Sequence, residues 1–239
     1  MKSNKTIGII GAMDSEIKLL TDKLENRVYQ SYGDLKFVSG NFADKTAVIV
    51  KSGIGKVNAA RCTQLLIDLY NPTAIINTGI AGGIYQGLSI GDFIIGTESV
   101  QHDFDVTAFG HSKGYMCTGD DDSQPTIYKS DETLVHILSK AAKSVIKPSS
   151  VLYGRIATGD IFVSNTQLKN EINKLFNVVA AEMECGAIAQ TAYYANIPFV
   201  TARTISDLAD GTAAKSFETF ENEAADNSAE IVLKFIGLF

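Results

Sequence analysis

The sequence predicts an α/β fold: a single domain over residues 1–239, with a mixed, largely parallel central sheet flanked by helices. Three observations lead there. Short β-branched runs alternate with helix-period segments from one end of the chain to the other, without a linker or an internal repeat. Runs such as Ile7–Ile10, Ala47–Val50 and Ala74–Ile76 are continuously apolar, which is the pattern of strands covered on both faces. A chain of this length also suffices for one sizeable core.

Thr6–Gly11 is a short β-branched run closed by glycine and predicts a central strand. Asp14-Ser15-Glu16 then opens a helix, with acids in its first turn and Ile17, Leu20 and Leu24 along one face. Between Val28 and Phe37 the turn signal Tyr32-Gly33-Asp34 predicts a hairpin. Ala47–Val50 is a buried strand, and Val57–Tyr70 a helix expected to bury Val57, Ala60, Leu65 and Leu69 before Pro72 stops the run. Ala74–Asn77 is a third buried strand, expected to close in the Gly-rich turn Thr78–Gly83. Gly91–Val100 predicts a strand, with His102–Phe109 continuing it in extended form. Gly110–Pro125, polar and bearing three consecutive aspartates, predicts an exposed loop. A helix near Asp131–Ile146 and a strand near Val151–Thr158 follow. Val178–Ala181 then reads as a compact buried strand running into Glu182-Met183-Glu184 and a helix of small residues from Cys185. Phe199–Ile205 is the last strand, and Phe217–Ile236 a helix with Phe220, Ala224, Ile231 and Phe235 toward the core.

Composition narrows the function. The net charge of −6 comes from dispersed acids, which argues against a nucleic-acid groove or a polybasic membrane face and favours a small ligand of modest charge. Cys62, Cys117 and Cys185 are too few and too scattered for a disulfide framework or a zinc site, and Cys62 and Cys185 fit buried helical positions. The polar start of the chain does not read as a signal peptide and no run suits a membrane span, so a cytoplasmic protein is expected. The three histidines have no metal-ligand spacing, and no nucleophile motif is present.

Chemistry concentrates at strand ends. Gly53-Ile54-Gly55-Lys56 and Thr78–Gly83 complete neither a dinucleotide fingerprint nor a P-loop, and each alone reads as a tight turn. Glu16 alone would be a solvated first-turn acid, and Asp207 or Glu184 alone a helix cap. What sets them apart is that all three fall at strand ends which a parallel sheet gathers on one edge. Three carboxylates in one apolar pocket form an acid–base arrangement, because their surroundings can push their pKa values apart.

Seven motifs in order resemble the 5′-methylthioadenosine/S-adenosylhomocysteine nucleosidases of the nucleoside phosphorylase superfamily. They are Ile7–Met13 with Glu16, Lys51–Val57, Asn77–Gly83, Asp105–Gly110, Gly159-Asp160-x-Phe162, Glu182–Glu184 and Ile205–Asp207. The resemblance covers nearly the whole chain and implies a nucleoside phosphorylase-like fold without a cofactor or metal. It implies hydrolysis of an N-ribosidic bond, with Asp207 as the acid that protonates adenine N7 and Glu16 as the base that activates water, aided by Arg203. Glu184 would hold the ribose hydroxyls, while Glu182 is expected to anchor the strand end. Phe162 would stack on adenine, the Val163 backbone would read its edge, Met183 would pack on ribose, and Gly82 would line the floor. Ser206 counts among the substrate-binding residues, and Met13, Ile54 and Phe217 would wall a slot for the 5′-alkylthio tail. Val106 and Phe109 would complete the pocket of a neighbouring subunit in a homodimer. Ile80 stands where many relatives have serine. The rival readings are a purine nucleoside phosphorylase, an aminodeoxyfutalosine hydrolase and a nucleoside-binding protein without turnover. A phosphorylase would need cations around its phosphate, where this chain offers Arg203 beside the repelling Glu16.

Overall fold

The computed structural model describes residues 6–239, so the reading of the polar stretch 1–5 lies outside the described residues. The expected α/β architecture is present: among the described residues six helices flank a mixed ten-stranded sheet. In chain order the elements are β1 (Thr6–Gly11), α1 (Asp14–Lys23), β2 (Glu25–Tyr32), β3 (Leu35–Phe42), β4 (Lys45–Lys51) and α2 (Lys56–Tyr70). Then come β5 (Ala74–Gly83), β6 (Phe93–Gln101), β7 (Tyr128–Lys129), α3 (Glu132–Val145), β8 (Val151–Thr158) and α4 (Thr166–Phe176). The chain ends with β9 (Ala180–Glu182), α5 (Cys185–Tyr194), β10 (Phe199–Asp207) and α6 (Ala213–Leu238).

Strands β10, β5, β1 and β4 run parallel, and the β2–β3 hairpin extends them antiparallel. Strands β6, β8 and β9 form a second parallel set, joined to the first by antiparallel pairs β10–β6 and β5–β9. Because β10 pairs with both β5 and β6, the strands β10-β6-β8-β9-β5 close on themselves. That closure brings the ends of β5, β9 and β10 together.

The continuously apolar strands are covered on both faces. Ile7, Ile9, Ile49 and Ile76 pack with α1, α3 and α6, while Ile10, Val48, Val50 and Ile75 pack with α2 and α5. Successive residues of one strand therefore feed two different cores. Cys62 and Cys185 are both buried, and burial pushes the Cys62 thiol up to about 12. Among the described residues no helix is long and apolar enough to cross a membrane.

The structure corrects several local readings. Thr78–Gly83 is not a turn but the second half of β5, held in register by Asp207 opposite Gly82 and by Ala180 and Ala181 of β9. After His102 the chain leaves the extended form, because the Asp105 carboxylate accepts from Thr107 N (3.0 Å) and Thr107 Oγ1 (2.7 Å) and folds Thr107–Phe109 into a 3₁₀ turn. In α2 the buried stripe is Ala59, Cys62, Thr63 and Leu66, whereas Val57 is 78% exposed. The small side chains at 59 and 62 turn that face toward the sheet. The helix α4 was not anticipated, although Asn165 caps it through Leu168 N (2.8 Å) and Ile172 and Phe176 bury its inner face. The Gly110–Pro125 loop is only half exposed, and Gly114 and Tyr115 are buried within it.

Candidate active site

Glu16 lies in the first turn of α1, where its carboxylate bends back over the end of β1. Its Oε2 accepts from Ala12 N (2.6 Å) and Met13 N (3.1 Å), and Oε1 accepts from Ile80 N (3.0 Å) on β5. A carboxylate offers about four acceptor positions, so three backbone donors leave one for a further partner. A methyl group at Gly79 would overlap this carboxylate, which is why β5 is glycine there. Burial raises the Glu16 pKa against the opposing pull of the Arg203 charge and the three backbone bonds.

Asp207 ends β10 and is 1% exposed. It caps no helix. Its Oδ1 accepts from Ala209 N (2.8 Å) and its Oδ2 from Ser206 Oγ (3.0 Å). Burial raises its pKa, and those two bonds only partly offset it. A Cβ at Gly82 would stand 2.9 Å from Asp207 Oδ1, so the glycine leaves the space the carboxylate occupies.

The two glutamates at the end of β9, Glu182 within it and Glu184 just beyond, sit in different surroundings. Glu182 is the structural one: Oε2 accepts from Glu184 N (2.9 Å), Cys185 N (2.8 Å) and Arg203 Nη2 (2.6 Å), and Oε1 from Thr158 Oγ1 (2.5 Å). Burial works to raise its pKa, but the Arg203 charge and these bonds outweigh burial and hold it low. Glu182, not Glu184, therefore satisfies the first amides of α5. Glu184 accepts from Gly55 N (2.8 Å) at the start of α2. Burial and the neighbouring Glu182 charge push it up to about 8.

Arg203 is 1% exposed and does not line the pocket. Its Nη2 donates to Asn77 Oδ1 (2.5 Å) as well as to Glu182, behind the pocket wall. Burial alone would lower its pKa, yet Glu182, Glu16 and Glu184 together keep it fully cationic.

The cleft brings together Met13, Glu16, Ile54, Ile80, Gly82, Phe162, Met183, Glu184, Ser206, Asp207 and Phe217. A mostly apolar cleft with a few convergent polar groups suits a small organic ligand. Phe162 and Phe217 meet edge to face, with ring centroids 5.7 Å apart. Val163 lines an adjoining recess shared with Gly82, Phe162 and Asp207. Val106 and Phe109 do not line the cleft; Phe109 is 80% exposed. Among the described residues the wall of the cleft carries four carboxylates (Glu16, Glu182, Glu184, Asp207) and no lysine, arginine or histidine.

Reading motifs one strand end at a time missed the connections between them. The Glu182–Arg203–Asn77 network and the backbone donors at Ala12 and Ile80 join residues far apart in the chain. The available signal was the pair of charges Glu182 and Arg203, both set within segments that read as buried strands, since a buried charge needs a partner.

The family model for the phosphorylase superfamily matches residues 6–237. A 5′-methylthioadenosine/S-adenosylhomocysteine nucleosidase of Halalkalibacterium halodurans is 44% identical over 97% of each chain. The crystal structure of the nucleosidase of that name from Neisseria meningitidis, in complex with methylthio-immucillin-A, superposes with a TM-score of 0.92 at 42% identity, covering 97% of this chain and 98% of the other. The native futalosine hydrolase of Helicobacter pylori reaches the same TM-score of 0.92 at 27% identity, covering 99% of each chain.

Proposed function

The chain belongs to the phosphorylase superfamily, among its 5′-methylthioadenosine/S-adenosylhomocysteine nucleosidases, and from that premise we propose how its cleft cuts an N-ribosidic bond. The enzyme is a nucleosidase that hydrolyses 5′-methylthioadenosine and S-adenosylhomocysteine to adenine and the 5-thio-substituted ribose.

Adenine stacks on Phe162 with its edge toward Val163 and Asp207. Asp207, whose hold on its proton burial strengthens, gives that proton to N7. The C1′–N9 bond breaks with its electron pair leaving on adenine, and positive charge develops on the ribosyl group. Glu184 and Met183 hold the ribose, and the carboxylate of Glu184 accepts from its hydroxyls and offsets that charge. Water attacks C1′ and releases its proton to the free acceptor position of Glu16. Arg203 acts at a distance: paired to Glu182, it lowers the cost of ionising Glu16 and Glu184. Met13, Ile54 and Phe217 form the apolar slot for the 5′ tail.

One observation favours water over phosphate. A phosphate dianion placed in this cleft would meet acidic side chains, Glu182 held ionised among them, and no cation on the wall to neutralise it. Adenine release from methylthioadenosine should therefore proceed in phosphate-free buffer, and an absolute requirement for phosphate would overturn the hydrolytic reading. A panel of 5′-substituted adenosines that includes aminodeoxyfutalosine then ranks the substrates.

The active form is a homodimer. The chain around Asp103 is tied to the rim of the cleft through Asp160 N (2.9 Å), so Val106 and Phe109 extend directly from that rim. The exposed Phe109 ring and the half-buried Val106 side chain suit a neighbour's apolar 5′ slot.

A further inference from the structure

Beyond the groups that touch substrate, the rim of the cleft carries a closed set of polar contacts between three segments distant in sequence. Asp160 Oδ1 accepts from Lys56 N (2.8 Å), and Asp160 N donates to Asp103 Oδ2 (2.9 Å). Asp103 Oδ1 in turn accepts from Lys56 Nζ (2.6 Å), which closes the circuit. The Lys56 and Asp103 side chains are 19% and 16% exposed, so water screens this pair less than a surface pair. The adjacent amide, Gly55 N, is the one that donates to Glu184 Oε1 (2.8 Å).

The local sequence makes this arrangement necessary. The N-cap of α2 is Gly55, which has no side chain to satisfy the first amides of the helix. Two carboxylates from elsewhere in the chain do so instead, Asp160 and Glu184. Gly55 has φ +95°, and a Cβ there would stand 3.0 Å from Asp160 Oδ1, so both the turn and the seat for Asp160 require glycine. Asp160 also precedes Phe162 by two residues.

We propose that Asp160 is a positioning residue: strapped to Asp103 and Lys56, it fixes the start of α2 so that Gly55 N holds the ribose-binding carboxylate of Glu184, and it ties that carboxylate to the adenine-stacking loop. This rests on the reading of Glu184 as the ribose-binding group. Three charges face Glu184 from other elements, Glu182, Arg203 and Glu16. All three lie outside the strap, so loosening it changes only the Gly55 bond. That bond favours the ionised form of Glu184, and its loss moves the titration of Glu184 to higher pH.

The test is the pH profile of kcat/KM for adenine release from methylthioadenosine by the full-length enzyme. Asp160→Ala should move the acid limb to higher pH and raise KM roughly fivefold, the worth of one lost helix cap. Asp160→Asn keeps an acceptor for Lys56 N and should restore both to wild type. An unmoved acid limb and KM in Asp160→Ala overturns the proposal, and so does Asp160→Asn behaving as badly as Asp160→Ala. If Asp160→Ala does not fold, Asp103→Asn is measured in its place; a smaller shift of the same sign is expected, and no shift refutes the strap. Glu184→Gln separates the premise from the inference. Wild-type turnover and acid limb in that variant would remove the reading of Glu184, whereas a crippled Glu184→Gln beside a normal Asp160→Ala would remove the strap alone.

Discussion

Glu184→Gln should make the ligand-free protein more stable while destroying its activity, and the gain should depend on pH. The Glu184 carboxyl rises from 4.5 to about 8 on folding, a change of about 3.5 because 8 − 4.5 = 3.5. The folded state therefore binds the proton more tightly than the unfolded chain does. Stability from this group is fully present below pH 4.5 and is lost as the pH rises through about 8. Glutamine keeps the acceptor for Gly55 N and has no proton to lose, so the variant escapes that loss. At about 1.36 kcal/mol for each pKa unit the ceiling is about 5 kcal/mol. Glu182 shares the titration, and the surroundings relax around a buried charge, which reduces the effect to about 2 kcal/mol. For a chain of this size that corresponds to roughly 4–8 °C in Tm. Thermal unfolding of both proteins across the pH range, at one protein concentration, reads the difference directly. The two midpoints should coincide in acid and separate progressively toward pH 8. A gap that stays constant with pH, or a variant less stable than wild type at alkaline pH, would refute the argument from burial.

Asp207→Asn should lower kcat by roughly 10²- to 10⁴-fold, the usual share of a general acid, with an unchanged circular dichroism spectrum. Wild-type activity should also fall as the pH rises through the raised pKa of Asp207, because the proton it donates is then gone. Glu182→Gln leaves the Arg203 guanidinium buried without its counter-charge, and should cost about 3–5 kcal/mol in urea unfolding. A much smaller loss would mean that Glu182 is not the anchor of this wall. Phe109→Glu should weaken the dimer in sedimentation experiments and raise KM together, and a rise in neither would detach Phe109 from the neighbour's site.

Much of this was legible from residues alone. Glu16, Glu184 and Asp207 could be picked out because each falls at a strand end that a parallel sheet gathers on one edge, and an acid at such a point is either paired or functional. The cleft does unite them. The reading of Thr78–Gly83 as a turn failed because glycine signals both a bend and a close approach. Here it is close approach: Gly79 and Gly82 make room within a strand for Glu16 and Asp207. Helix α4 was missed although its cap and its inner face at Ile172 and Phe176 were visible in the sequence.

The alternation of strands and helices, the burial of the continuously apolar strands on both faces, and the acids at strand ends follow from the order of residues alone. These are local properties, set by side-chain periodicity and by the cost of burying charge. The proton affinity of each carboxylate is a property of the folded chain. Glu182 and Glu184 are two residues apart, yet one is held low by Arg203 from β10 and the other is pushed up to about 8 in a cleft without a cation on its wall. The closure of β10-β6-β8-β9-β5 creates that difference, because it sets Arg203 behind one glutamate and leaves the other to a single amide of α2. Proton affinity depends on distances of a few ångströms between residues far apart in the chain, and the order of residues does not specify those distances until the sheet has closed.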